Sequence, residues 1–402
     1  MSSAQAPLWT RNFILVSLIN FQLVLIFYLL VIVIVGYAVA ELNASIAEAG
    51  LISGLFIVGT LFGRLLIGKC LQRFGYRSTL LFGLAGFLLL SLGYFVEMGV
   101  TALLGIRFIH GFMMGVASTV LGTVIAQTLP PTRRGEGIGY YSMSSTLGTA
   151  IGPFVAIWMM LHTSYQTIFS LSSVLALGCL VVACFIRMPN LAQPKPAATA
   201  TAGKSFGFWT QYLEKNALPI SLIMLFASIC YSGVLSFINF YAKEIDLVEA
   251  ASLFFLMYAI AILFSRPFTG RLMDRKGENI IMYPAFIVMA IALFLLSQAH
   301  NSSMLLLCAG LLGLGYGNIQ SVCQTIAVKS TSLERMGLAT STYFICLDAG
   351  LGFGPYLIGI ALKSVSYAQM YFYSALAALL CLGLYYLLHG RHAQLVQPQL
   401  SR

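Results

Sequence analysis

Apolar residues run along this chain in long unbroken blocks, not in the two-residue alternation of a half-buried strand or the narrow stripe of a surface helix. A block of about 20 such residues is what an α-helix needs to cross a bilayer core. Blocks of that size fall near 13–37, 47–68, 78–97, 100–128, 136–160, 165–187, 217–241, 250–270, 279–298, 302–328, 338–361 and 367–389. The pattern predicts an all-α polytopic membrane protein with twelve transmembrane helices. The first block is longer than a signal-peptide core and no small-residue cleavage site follows it, so it is expected to stay as a span. Residues 189–209, PNLAQPKPAATATAGKSFGFW, carry no apolar period and read as a linker. The expected organisation is an N-terminal six-helix half over 1–188, a cytoplasmic linker over 189–215, and a C-terminal six-helix half with a short cytoplasmic tail over 216–402.

The halves repeat. A shift of 202 residues superposes Phe62 on Phe264, Arg64 on Arg266, Gly68 on Gly270, Arg73 on Arg275 and Gly75 on Gly277. Further on, Gly111 meets Gly313, Gly115 meets Gly317, Arg133 meets Arg335, Gly135 meets Gly337, Gly148 meets Gly350, and Gly152-Pro153 meets Gly354-Pro355. Two pseudo-symmetric six-helix halves in parallel repeat are the architecture of a large class of secondary transporters.

Composition agrees: 59% of the 402 residues are hydrophobic and 8% charged, against about 25% charged in a soluble domain. The net charge of +10 reflects orientation, and is not read as affinity for nucleic acid. Of the 22 Lys and Arg, Lys243 and Lys363 fall opposite the N-terminus and Arg64, Arg107 and Arg266 fall within spans, while all others share the N-terminal side. That bias predicts cytoplasmic termini. The eight cysteines and five histidines are scattered without metal-ligand spacing. Neither a catalytic constellation nor a cofactor site is expected.

The loop after the second predicted helix, GKCLQRFGYR, sets Gly68, Arg73, Gly75 and Arg77 at fixed spacing, and its second copy, GRLMDRKGEN, keeps Gly270, Asp274, Arg275 and Gly277. These loops resemble the signature of the major facilitator superfamily, and the likeness covers nearly the whole chain. The resemblance implies that they hold the cytoplasmic side closed, a carboxylate facing basic side chains and a helix N-terminus. Gln72 stands where the first copy should have its aspartate, so Asp274 is expected to carry more of the latch. Arg64 and Arg266, near the cytoplasmic ends of their helices, are expected to snorkel as anchors or to take part in gating.

In GYYSMSSTLGTAIGPF, residues 139–154, Ser144, Gly148 and Gly152 recur every fourth position and share one helix face. Small residues there let a neighbouring backbone approach closely. Gly139, Gly148, Gly152 and Pro153 are similar to the helix-5 signature of the drug:proton antiporter branch, with Ala156 in place of its final glycine; Gly350, Gly354 and Pro355 are their repeat mates.

Asp348 lies eleven residues past Gly337 in FICLDAGLGFGPYL, about 16 Å into a core of roughly 30 Å. An acid at that depth is functional by default, as a proton carrier that ionises when water reaches it, or else serves as a fixed partner for Arg266. Arg107 begins RFIHGFMMG, similar to a superfamily motif whose arginine is linked to proton transfer, with His110 replacing a glutamine. The resemblance further implies a cavity lined by helices 1, 4, 7 and 10, which offer Asn20, Tyr28, Met114, Tyr231, Asn239, Tyr316 and Asn318. Rings, thioethers and amides suit a small amphipathic organic substrate.

The expected protein is a secondary transporter of the bacterial inner membrane, monomeric and not an enzyme, exporting a small organic compound in exchange for protons. Two alternatives stand beside it: a proton symporter importing a small anion, and a transporter-like sensor.

Overall fold

The computed structural model describes residues 7–44, 46–96, 99–188, 212–362 and 364–396. Helix α1 spans Arg11–Leu42, opening on Thr10, whose hydroxyl accepts the Phe13 N–H. A helical stretch over Ile46–Gly93 is broken at Gly75, where φ 72° and ψ 172° lie outside helical space. It therefore forms two helices, α2 before Gly75 and α3 after it. Then come α4 (Val100–Thr128), α5 (Arg134–His162) and α6 (Tyr165–Cys184). The C-terminal half supplies α7 (Leu218–Glu244), α8 (Val248–Lys276), α9 (Asn279–Ser297), α10 (Ser302–Lys329) and α11 (Met336–Ala361). Helix α12 (Tyr367–Tyr385) opens on a capping box between Ser366 and Gln369 and runs on through a π-helical turn, Tyr386–Gly390.

Eleven helical segments are long and apolar enough to cross a membrane, with Leu51–Ile67 of α2 a shorter apolar one, so twelve helices are present among the described residues. Each predicted block lies on one of them. Helix α8 ends where Gly277, at φ 87°, turns the chain, as Gly75 does between α2 and α3. Positive φ costs an L-residue about 1–2 kcal/mol, so both repeat-related signature loops need glycine at that position.

The chain forms two compact units: residues 1–130, 144–214 and 332–342 make the first, and residues 131–143, 215–331 and 343–402 the second. Helices α5 and α11 therefore each contribute their first turns to one unit and the remainder to the other. The first unit's core includes Phe56 of α2, Phe87 of α3, and Val116 and Val120 of α4; the second's includes Phe254 of α8, Met289 and Leu293 of α9, and Leu312 of α10. Outside lie Phe154, Phe264, Phe268 and Leu380, all about 70% exposed. Only lipid solvates so apolar a surface without cost.

Candidate functional site

In the second unit the start of α5 meets the end of α8. The Gly135 and Glu136 N–H groups donate to the two Asp274 carboxylate oxygens at 2.9 and 2.8 Å, and Lys329 Nζ from the end of α10 donates to the same carboxylate at 3.0 Å. A helix's first N–H groups have no intrahelical acceptor, and its dipole favours an anion there. The Asp274 side chain is only 6% exposed, so its satisfaction matters. Glu136 turns back to accept from Arg133 Nε at 2.9 Å and Arg271 Nε at 2.7 Å. Two acids thus join α5, α8 and α10. Gly270 lets the segments approach: a Cβ there would lie 2.8 Å from Glu136 Cα. Arg275 points into solvent.

The first-unit loop is partly outside the described residues, which include none of the side chains at Gly68, Gln72 and Arg73; Arg77 is exposed. Around it, Gln127 at the end of α4 donates to Tyr76 Oη at 2.9 Å and to the Leu333 carbonyl at 2.8 Å. Leu71 and Thr123 flank Gly337 at the start of α11. Glu214, buried, pairs with Arg335 of this segment.

The small-residue face of α5 lies against α1. A Cβ on Gly148 would come 2.9 Å from Val24 Cγ1 and 3.0 Å from Leu25 N, and one on Gly152 would meet Tyr28 Cβ at 2.7 Å. Asn20 Nδ2 donates to Ser144 and Ser145 hydroxyls at 2.8 and 2.7 Å. In the second unit α11 repeats this against α7, Gly350 facing Ser228 and Leu225, and Gly354 facing Ser232. Helices α5 and α11 run on through Pro153 and Pro355.

Gly139 belongs elsewhere. Its carbonyl accepts from Arg266 Nη1 at 3.4 Å, and the Gly317 carbonyl accepts from Arg266 Nη2 at 3.1 Å. Arg266 is 1% and Arg64 5% exposed, which corrects the expectation that they snorkel as anchors. Their stems turn inward because main-chain carbonyls and hydroxyls replace water: Arg64 donates to Thr119 Oγ1 at 3.4 Å, and its own carbonyl accepts from Ser341 at 2.6 Å. Ser341 is the repeat mate of Gly139, so each arginine lies beside the N-terminal part of α5 or α11 in its own unit.

Arg107 and His110 sit fully buried where α2, α3 and α4 meet. The guanidinium stands 4.4 Å over the Phe56 ring and donates to Tyr94 Oη at 3.2 Å and to the Ile52 carbonyl at 3.4 Å. His110 shares hydrogen bonds with Tyr94 Oη at 2.8 Å and Ser91 Oγ at 3.3 Å. Tyr94, at the end of α3, is the residue that joins them, and sequence spacing gave no sign of it.

Asp348 occupies the middle of α11, half-buried. Two carbonyls, not Asp348, take the Arg266 hydrogen bonds. Among the cavity candidates, Tyr231 and Tyr316 stack at 4.0 Å with planes 11° apart, and Tyr258 continues the stack at 5.4 Å. Met114 is buried in α4, Tyr28 is half-buried, and Asn239 is exposed near the end of α7. Asn318 spends its amide within the second unit, donating to Ser265 and the Leu314 carbonyl and accepting from Thr269. No group of three or more metal-ligating side chains occurs among the described residues.

The profile of the Major Facilitator Superfamily matches residues 16–298 and 248–401, and the chain belongs to that family of membrane transporters. Multidrug resistance protein MdtL of Shigella dysenteriae is 24% identical over 338 residues, 80% of this chain and 84% of MdtL. An MFS-type transporter of Methanocaldococcus jannaschii is 23% identical over 339 residues, 83% of this chain and 87% of its own length. The human organic anion transporter MFSD10 (TETRAN) has the same fold, with a TM-score of 0.75 at 16% identity over 93% of this chain and 98% of its own. So does the proton:xylose symporter XylE, with a TM-score of 0.70 at 14% identity over 93% and 95%.

Proposed function

We propose that this protein is a proton-coupled antiporter that exports a small organic compound from the cytoplasm by alternating access, in the manner of a multidrug efflux carrier. Kinship with MdtL supports the efflux direction, and the close-packed α5 face supports the antiporter branch. The observation that carries proton coupling is Asp348, an acid in mid-span of α11 and only half-buried. A carboxylate placed there exchanges a proton with whichever side supplies water. Substrate binds preferentially to one of its protonation states, because only differential affinity shifts a conformational equilibrium. Tyr231, Tyr258 and Tyr316 give the second unit a buried aromatic stack, which an amphipathic molecule would meet only when the unit opens. Arg107 and His110 hold the α2–α3–α4 junction together and act on the cycle through Tyr94. The reading places a monomer in a bacterial inner membrane with both termini cytoplasmic, its partners the substrate, protons and lipid, and gives it no catalytic chemistry.

The test is collapse of a pH gradient in everted membrane vesicles over a panel of cationic, neutral and anionic compounds, parent beside Asp348→Asn. Compound-induced proton release is expected with the parent and lost, at least tenfold, in the variant. Equal release from both, or none from either with any compound, overturns the coupling.

A further inference from the structure

We infer that Glu214 is a positioning residue that fastens the cytoplasmic start of α11 in the first unit, replacing acids that the repeat has lost. In the second unit Asp274 and Glu136 secure the start of α5. Their mates at an offset of 202 are Gln72 and Leu338, and neither is acidic. Arg133, which pairs with Glu136, has Arg335 as its mate, so the basic half of the arrangement survives in the first unit without its acids. Glu214 fills the gap from outside the pattern, its own mate being Asn12.

The geometry is specific. Glu214 Oε2 accepts from Arg335 Nε at 2.5 Å, and the Glu214 main-chain N–H donates to Thr342 Oγ1 at 2.8 Å. Arg335 and Thr342 are seven residues apart, so this one residue grips about two turns along one side of the α11 entry. The Glu214 side chain is 4% exposed and Arg335 36%. A carboxylate that deep is not a solvated linker charge, because removing it from water is costly unless a cation answers it. Thr342 lies six residues before Asp348 in the same helix, about 9 Å along it. The positioning role rests on the transport reading.

Hydrogen exchange of the full-length protein in lipid nanodiscs tests the fastening without a substrate. In Glu214→Gln, amides of 333–342 are expected to exchange about tenfold faster, as loss of a charged hydrogen bond allows, while those of 134–143 keep the parent rate. Arg335→Gln should loosen the same segment, and Gln72→Asp added to Glu214→Gln should restore protection. Parent-like exchange at 333–342, equal loosening of 134–143, or no recovery with Gln72→Asp overturns the inference. Drug efflux by Glu214→Gln is expected to lose maximal rate with its KM unchanged, and an unchanged rate overturns the positioning role. Should no compound move with the parent either, the transport reading fails while the exchange result still decides the fastening.

Discussion

Gly148, Gly152 and Gly139 belong to one sequence signature, yet a methyl group meets different surroundings at each. Glycine to alanine in a helix gains about 0.5–1 kcal/mol from backbone entropy alone. At Gly139 the nearest atom to an added Cβ is the Arg266 carbonyl oxygen at 3.7 Å, an ordinary contact, so Gly139→Ala should be neutral or slightly stabilising. At Gly148 and Gly152 the obstructing atoms include main chain of α1 at 3.0–3.1 Å, which cannot swing aside. There overpacking, about 1–3 kcal/mol, exceeds the entropy gain, and both alanine variants should melt lower than Gly139→Ala in the same detergent. The bridging roles of Glu136 and Glu214 were hidden in the sequence for a related reason: Arg271 and Arg335 stand 135 and 121 residues from them, and their repeat mates, Leu338 and Asn12, are not acidic. The depth of Arg64 and Arg266 was also hidden, since an arginine near the end of an apolar block looks the same whether its helix turns it toward lipid headgroups or toward a neighbour's carbonyls.

Among the elements, α12 shows how an end is tied down. Its π-helical turn places the Gly390 carbonyl to accept from Asn279 Nδ2 at 2.9 Å, Tyr385 Oη donates to Asn279 Oδ1 at 2.6 Å, and His389 Nε2 lies 3.0 Å from Glu278. Burial alone would raise the Glu278 pKa, but the His389 hydrogen bond, its own backbone N–H and the charges of His389 and Lys329 outweigh it and leave the carboxyl below its ordinary 4.5. A lowered folded pKa means stability that is present above the ordinary value and is lost as pH falls through the lowered one. His389→Ala should therefore reduce stability at pH 6, read as a lower melting temperature, by the small amount that a partly exposed pair supplies, about 0.3–1 kcal/mol. The gap between variant and parent should narrow as pH falls below the ordinary carboxyl value of 4.5 and through the lowered one; a gap that persists in strong acid would assign the effect to packing instead. Helix existence was legible because length and hydropathy settle it, and the break at Gly75 because glycine punctuates. The π turn was not, since YLLHG carries no signal distinguishing it from ordinary helix.

Across the whole molecule the duplication is visible at two levels. The sequence offset of 202 returns in space as matched close approaches: α4 meets α2 at Gly111 and Gly115 beside Phe56 and Thr60, and α10 meets α8 at Gly313 and Gly317 beside Tyr258 and Ile262. Those contacts were foreseeable once the register was known. The division of α5 and α11 between units was not, because it depends on which neighbours their first turns choose, and those neighbours are remote in sequence. Charge has diverged where backbone has not, with acids at 274 and 136 opposite an amide and a leucine at 72 and 338. Backbone conformation at the two loop glycines, φ 72° and ψ 172° against φ 87° and ψ 168°, stayed nearly the same. The ten-residue loops are therefore expected to be exchangeable. A chimera carrying GRLMDRKGEN in place of residues 68–77 should insert, fold and melt within about 1–2 kcal/mol of the parent, whereas the same graft with alanine for its left-handed glycine should not. An ancestral gene that joined two copies of one six-helix half would have left such a cassette in each, bound to its place by handedness more than by charge.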